Sequence, residues 1–196
     1  MRLPIAVLAA AFALSALPAS ADLITNGGFE TGDFTGWNAT VSFSGPQGGG
    51  YSGYDPHAGF FFAALGNVGG LGTLSQTFAD VAGQSYQLTY FLASNGQTPN
   101  EFRVDLNSTT LFDSVNIGAT SGIPYAYTPY TFQFVATGND TVTFFERDDP
   151  DYLALDDVSV TPVSSAVTPE PGSVMLLGTG LLGLAGFARR RVVRSI

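Results

Sequence analysis

The 196-residue sequence contains no cysteine and no lysine, and it has a single histidine, His57, and a single tryptophan, Trp37. The absence of cysteine excludes disulfides, thiol nucleophiles and thiolate metal sites. Between residues 22 and 168 the only basic residues are Arg103 and Arg147, so that stretch carries a formal charge of −13 against −9 for the whole chain. A surface this acidic repels phosphates, which excludes nucleic acid and anionic membrane as partners and leaves neutral sugars, cations and basic surfaces. The same charge keeps an exported domain soluble. Chemistry that needs a histidine base has one candidate, and no serine stands in a Gly-x-Ser-x-Gly elbow. No catalytic residue is assigned; His57, within Asp55-Pro56-His57-Ala58-Gly59, reads as a turn or packing residue.

Long apolar runs occur only at the two ends. Met1-Arg2 is followed by an apolar stretch from Ile5 to Leu17 and by Ala19-Ser20-Ala21. A positive start, a short apolar core and a small-x-small site predict a secretory signal peptide over residues 1–21. At the other end, Pro169-Glu170-Pro171 precedes a chargeless run over 172–188, then Arg189-Arg190-Arg191. Seventeen helical residues span about 25 Å, near the lower limit for a hydrocarbon core. Arginines beyond the run hold that end in the cytoplasm and place residues 22–168 on the far side. Ser164 to Thr168 reads as a linker.

That order of Pro-Glu-Pro, short helix and arginine cluster resembles the PEP-CTERM sorting domain of Gram-negative bacteria. The resemblance implies recognition of residues 169–196 by an exosortase, with contact to the membrane only through the helix before processing. A retained tail anchor is the alternative. The protein is thus expected in the cell envelope and then at the cell surface or outside it.

Residues 22–163 read as one all-β domain. Strand-like alternation runs through Leu74, Gln76 and Phe78, through Tyr86, Leu88, Tyr90 and Leu92, through Phe102, Val104 and Leu106, and through Phe132/Phe134 and Val142/Phe144. Turn signals at Gly45-Pro46, Ala82-Gly83-Gln84, Ser94-Asn95-Gly96 and Thr137-Gly138-Asn139-Asp140 separate them. Short strands with Gly- and Pro-rich turns predict a two-sheet sandwich.

Two motifs narrow the class. The domain opens on Asn26-Gly27-Gly28-Phe29-Glu30-Thr31-Gly32-Asp33-Phe34-Thr35-Gly36-Trp37 and closes on Tyr152-Leu153-Ala154-Leu155-Asp156-Asp157-Val158-Ser159-Val160. The pair resembles the jelly-roll carbohydrate-binding modules of the galactose-binding-like superfold. The resemblance implies a structural calcium ion (Ca2+) held by Glu30, the Gly28 carbonyl and one of Asp156 and Asp157. Strand alternation allows only one of the two aspartates to face the ion and does not say which. Trp37 is expected to pack within its motif.

The remaining candidates are aromatic or acidic. Tyr51, Tyr54, Tyr125 and Tyr127 lie in Gly- or Pro-containing stretches beside the strands and are candidate sugar contacts, since a tyrosine ring packs while its hydroxyl bonds. Phe60-Phe61-Phe62 should place a ring on each side of a strand. Asp148, Asp149 and Asp151 lack the glycine and terminal glutamate of an EF-hand loop and read as a solvated acidic turn. The chain therefore reads as an exported, non-enzymatic jelly-roll domain associated with extracellular polysaccharide or biofilm matrix. A structural or adhesive protein that binds other proteins, and a glycoside-active enzyme, are the alternatives.

Overall fold

The computed structural model describes residues 21–40, 45–163 and 179–180. The signal-peptide segment up to residue 20, the linker, Pro169-Glu170-Pro171 and Arg189-Arg190-Arg191 lie outside these residues. The chain divides into two compact units, Met1–Pro162 and Val163–Ile196. Among the described residues no helix is long and apolar enough to cross a membrane.

Among the described residues the first unit holds ten strands: β1 (Asn38–Thr40), β2 (Gly45–Gly48), β3 (Phe61–Leu65), β4 (Gly72–Ala79), β5 (Ser85–Ser94), β6 (Asn100–Leu106), β7 (Thr109–Val115), β8 (Thr128–Val135), β9 (Asn139–Asp148) and β10 (Leu153–Pro162). They form two antiparallel five-stranded sheets: sheet I in the order β1-β4-β9-β6-β7, sheet II in the order β2-β3-β10-β5-β8. This is the two-sheet sandwich that the alternating pattern predicts, with the jelly-roll form that the motif resemblance implies. Inward positions of β4, β5, β6, β9 and β10, among them Leu74, Leu88, Tyr90, Phe102, Phe144, Leu155 and Val160, interleave as one core between the sheets.

One turn expectation is corrected. Gly45-Pro46 begins strand β2, where Pro46 pairs with Ala63 of β3. β2 is an edge strand, and proline is tolerated there because its missing N–H need not feed a second neighbour.

The opening motif folds on itself before β1. Asn26 Nδ2 donates to the carbonyls of Asp33 (3.0 Å) and Thr35 (3.1 Å), and its Oδ1 accepts from the Thr31 amide. Trp37 is buried and donates from Nε1 to the Asn26 carbonyl at 3.0 Å, which gives it the packing role its motif predicts. Ahead of this turn, residues 22–28 run along the second half of β10. The Leu23 amide donates to Val160 O, the Val158 amide to Gly27 O and the Val160 amide to Asp22 Oδ1. β3 pairs with β10 only over Leu153 to Leu155, so the opening segment takes over the neighbouring position where β3 leaves it. Inside, the buried Gln76 accepts the Thr25 amide on Oε1 at 2.7 Å and donates from Nε2 to the Thr25 carbonyl at 2.9 Å. Gln76 falls on the apolar side of the β4 alternation because it does the work of a backbone unit for the opening segment.

Candidate functional site

Three regions carry polar chemistry: the junction of the opening and closing motifs, the outer face of sheet II, and the outer face of sheet I.

At the junction, the register between β10 and β5 shifts between Asp156 and Ser159, and Asp157 has a φ of +47°. This bulge breaks strand alternation, so the expectation that only one aspartate faces the site is corrected. Asp156 Oδ2 accepts the amides of His57 (2.8 Å) and Ala58 (3.4 Å), and Asp157 Oδ2 lies 2.6 Å from His57 Nδ1. Both therefore address the 57–61 segment. Glu30 joins them: its Oε1 accepts the amides of Phe60 (2.9 Å) and Phe61 (3.0 Å). Asp156 is fully buried, and burial with the neighbouring Asp157 charge pushes its carboxyl up to about 7.

Gly28 lies among these side chains. A methyl group built on it would stand 3.3 Å from Asp157 Oδ1, 3.7 Å from Glu30 Cγ and 3.8 Å from Asp156 Oδ1. The bare Cα thus leaves a small cradle ringed by carboxylates, a donor set that suits a hard cation. The oxygens do not meet at one point: among the described residues no group of three or more His, Asp or Glu side chains is spaced to hold a metal. Engagement of a cation at Gly28 requires Glu30 to turn from the amides it now accepts.

The outer face of sheet II collects the tyrosines. Tyr54, Phe62, Ala64, Ala93 and Ala154 form a second buried cluster, with Tyr51, Tyr125, Tyr127 and Tyr152 packed on it. Small alanines on three adjacent strands leave a depression, and the 49–59 and 116–127 segments fill it with rings. Tyr54 has no exposed surface and donates to the Tyr152 carbonyl at 2.7 Å, so the expectation that it contacts a sugar is corrected. The Tyr127 hydroxyl is buried without a hydrogen-bond partner, and burial pushes its pKa above the ordinary tyrosine range. Tyr51 packs edge-on against Tyr152 at 5.1 Å and is pushed up to about 12, chiefly by a hydrogen bond with Tyr152. Tyr125 packs on Tyr54 at 5.1 Å. Sequence gave no sign of this, because a tyrosine that lids an alanine depression has the same local context as one that faces solvent. Beside the cluster, His57 stacks on Phe91 with ring centroids 3.7 Å apart. Of the three consecutive phenylalanines, Phe62 enters this cluster, Phe61 packs on the main core and Phe60 is exposed.

The outer face of sheet I is different in kind. In register across β4, β9, β6 and β7 lie Thr73, Phe145, Arg103 and Asp113, and in the next row Ser75, Thr143 and Asp105. The Arg103 guanidinium sits 3.9 Å above the Phe145 ring. Its nearest carboxylate oxygen is Asp105 Oδ1, 3.5 Å from Nε, and neither of those two atoms has a hydrogen-bond partner. A ring, a guanidinium paired with Asp105 and a row of hydroxyls thus share one sheet face. None of these residues belongs to a local motif. Only strand pairing brings them together.

The expectation of a solvated acidic turn at Asp148, Asp149 and Asp151 is also corrected. Asp148 is the last inward-facing residue of β9 and is fully buried. Asp149 is held to about 2 by two hydrogen bonds from Arg147, and Asp151 accepts from Asn95 Nδ2 at 2.5 Å.

Fold and strand order define a jelly-roll sandwich of the kind used by carbohydrate-binding modules. Among solved structures, the chain is similar to TmCBM61 in complex with β-1,4-galactotriose (TM-score 0.56, 18% identity, covering 74% of this chain and 100% of that one). It is also similar to the K3 cleaved adhesin domain of Lys-gingipain from Porphyromonas gingivalis w83 (TM-score 0.51, 18% identity, 73% and 99% covered). A third likeness is to the enzymatically active domain of tailspike protein 4 of bacteriophage CBA120 (TM-score 0.51, 14% identity, 72% and 21% covered). Residues 167–191 match the PEP-CTERM protein-sorting motif, which marks an exported, surface-targeted protein. No curated protein matches the sequence.

Proposed function

We propose that this protein is an exported, non-catalytic module that binds extracellular polysaccharide on the outer face of sheet I, with Phe145 as the stacking platform. The observation that carries the reading is the placement of Arg103: its guanidinium lies 3.9 Å from the centre of the Phe145 ring and beside the Asp105 carboxylate, so ring, charge and hydroxyls share one outer face. A pyranose stacks its C–H face on an aromatic ring while its hydroxyls bond charged and hydroxyl side chains beside it. Thr73, Ser75, Thr143 and Asp105 supply such groups in the adjoining register positions. The fold shared with TmCBM61, whose structure contains a galactotriose, supports the class of ligand. The tail supports delivery by an exosortase to the surface or the surrounding matrix. The tyrosine-covered face of sheet II serves packing in this reading, with Tyr51 and Tyr125 at its rim.

A glycan array on residues 22–163, followed by calorimetry with each hit, tests the proposal. Binding of one polysaccharide class that Phe145→Ala abolishes supports it. Silence on the array with retention of the protein in matrix fractions would favour the adhesive reading, for which the shared fold of the K3 adhesin domain gives a precedent.

The proposal includes a structural calcium ion at the Gly28 cradle, held by the Gly28 carbonyl, Glu30, Asp156 and Asp157. Its chemistry would be charge neutralisation: Asp156 and Asp157 are adjacent carboxylates whose one basic neighbour among the described residues is His57. An unchanged melting temperature on chelator treatment at pH about 8 would remove calcium from the account.

A further inference from the structure

Four strands end the two sheets: β1 and β7 on sheet I, β2 and β8 on sheet II. An edge strand offers a row of N–H and C=O groups to any other chain, and folded proteins blunt it by shortness, charge, proline or a bulge. Three of these four are blunted. β1 has three residues, and β2 has four with Pro46 among them. β7 carries Asp113 and a register shift against β6 between Val104 and Asp105. β8 differs: it is eight residues long, uncharged, and paired with β5 in unbroken register from Thr128 to Val135.

The end of β8 shows which of its backbone groups face outward. The Ala136 amide donates to Gln84 O at 2.9 Å and the Ala136 carbonyl accepts the Gly83 amide at 2.8 Å, so both point toward the β5 side. An antiparallel ladder alternates, so Phe134, Phe132 and Tyr130 also bond toward β5, while Val135, Gln133 and Thr131 turn their backbone groups away. Pro129 falls in the outward set, where a missing N–H costs no bond to β5. Among the described residues no segment pairs with this outward side. The side chains of Thr131, Gln133 and Val135 are exposed, and those of Tyr130, Phe132 and Phe134 are only partly buried against the core.

Charge selects the occupant. Residues 22–163 hold fifteen acidic residues against two arginines, so two copies repel over most of their surface. Ser114 to Asn139 and Val81 to Asn100 contain no charged residue, and these stretches supply β8 and its neighbour β5. A basic partner would be drawn to the acidic surface elsewhere; two copies of this chain approach each other at least cost along β8.

We infer that two copies of this chain pair edge to edge through β8, antiparallel about a twofold axis at Gln133, so that their second sheets join into one. Gln133 then faces the partner's Gln133, and Thr131 faces the partner's Val135, with every outward N–H and C=O of the three residues paired. Phe132 comes opposite the partner's Phe134 at the closely spaced position between those pairs, which covers rings that are half-open in the single chain. The ladder stops where Pro129 would meet the partner's Thr137, because proline has no N–H and the Thr137 amide is already given to Asp140 Oδ2 at 3.1 Å. A twofold of this kind stands normal to the joined sheet, so both copies of sheet I lie on one side of it. With Phe145 as the sugar platform proposed above, the pair would grip one polysaccharide at two points; the pairing itself does not rest on that reading.

The test follows the full-length chain in mild detergent through a dilution series, by sedimentation velocity and by amide hydrogen exchange. Wild type should be a dimer that dissociates on dilution, with the amides of Thr131, Gln133 and Val135 protected in the dimer and exchanging in the monomer. Gln133→Glu keeps the side-chain shape, sets two like charges opposite each other, and should raise the dissociation constant about three- to fivefold. Gln133→Pro removes both central donors without touching a bond to β5, and should raise it about tenfold or more. Thr110→Glu adds the same charge on the β7 edge and should leave it unchanged. A wild-type chain that is monomeric at about 100 μM overturns the inference, as does a dimer that neither change at Gln133 weakens. Protection of the three amides that survives dilution to the monomer would assign the edge to a segment of the same chain, and overturns it as well. If Gln133→Pro loses the far-ultraviolet signature of the fold, Gln133→Glu decides alone.

Discussion

His57 Nδ1 lies 2.6 Å from Asp157 Oδ2, one hundred residues further along the chain, while the same imidazole stacks on Phe91 at 3.7 Å. Directly beside this pair, Asp156 accepts the amides of His57, Ala58 and Asp157. The two aspartates of the closing motif thus fasten the segment ahead of β3 to the centre of sheet II. Asp156→Ala removes a fully buried side chain that ties the His57, Ala58 and Asp157 amides to β10, and should cost about 2–4 kcal/mol in urea unfolding. His57→Ala removes a half-exposed pair and a ring contact, and should cost about 1 kcal/mol.

Gly27 makes the opening motif intolerant of a side chain. A methyl group there would stand 1.9 Å from the Val158 carbonyl oxygen, which is backbone of β10 and cannot swing away. Gly27→Ala must push the opening segment off β10 and break the Val158 amide to Gly27 bond. A loss of about 2–4 kcal/mol is expected, read from the midpoint of urea denaturation. Gly45→Ala is the control, because its position is open and should shift the midpoint little.

On sheet I, Phe145→Ala should weaken polysaccharide binding about tenfold or more while leaving the melting temperature close to wild type, since the ring lies outside the main core. Arg103→Lys keeps the charge and loses the planar fork, and should weaken binding by a smaller factor. Titration calorimetry with the glycan selected on the array gives both numbers. Loss of binding in Tyr125→Ala with Phe145→Ala unaffected would move the site to sheet II.

Stability should depend on pH in two opposed ways when chelator is present. Asp148 and Asp156 are both pushed up to about 7, chiefly by burial, so the folded chain holds their protons more firmly than the unfolded chain does. That contribution is complete below the ordinary carboxylate range and is lost as pH rises through about 7. Asp149, held to about 2 by Arg147, contributes in the other direction: its share is present above about pH 4 and lost as pH falls through about 2. Scanning calorimetry should therefore show the melting temperature falling by several degrees between about pH 5 and pH 8, and Asp148→Asn should flatten part of that fall.

The parts of the fold that were legible are those where a single strand reports its own environment. β5, with Tyr86, Leu88, Tyr90 and Leu92 turned in, and β9, with Val142 and Phe144, announce two-sided sheets because half of each strand meets the core and half meets water. The strands that went unread, β1, β2 and β7, are edge strands with little burial, so nothing in their composition alternates. Of the candidate residues, the motif positions Gly28, Glu30, Asp156 and Asp157 are brought to one junction of the fold, where the calcium ion is proposed. Arg103 and Phe145, the proposed sugar contacts, gave no local signal, because each is unremarkable within its own strand.

The sequence by itself determined the route of export, since Pro-Glu-Pro, the apolar run and the arginines act as linear signals, and it determined the two-sheet class, since alternation is a property of one strand. Tertiary structure alone decided which polar groups meet. A bulge at Asp157 turned two adjacent carboxylates toward one loop, and alanines on three neighbouring strands drew the tyrosines inward. Strand order then set Arg103 over Phe145, because lateral neighbours in a sheet are chosen by pairing between distant segments and leave no mark on local sequence.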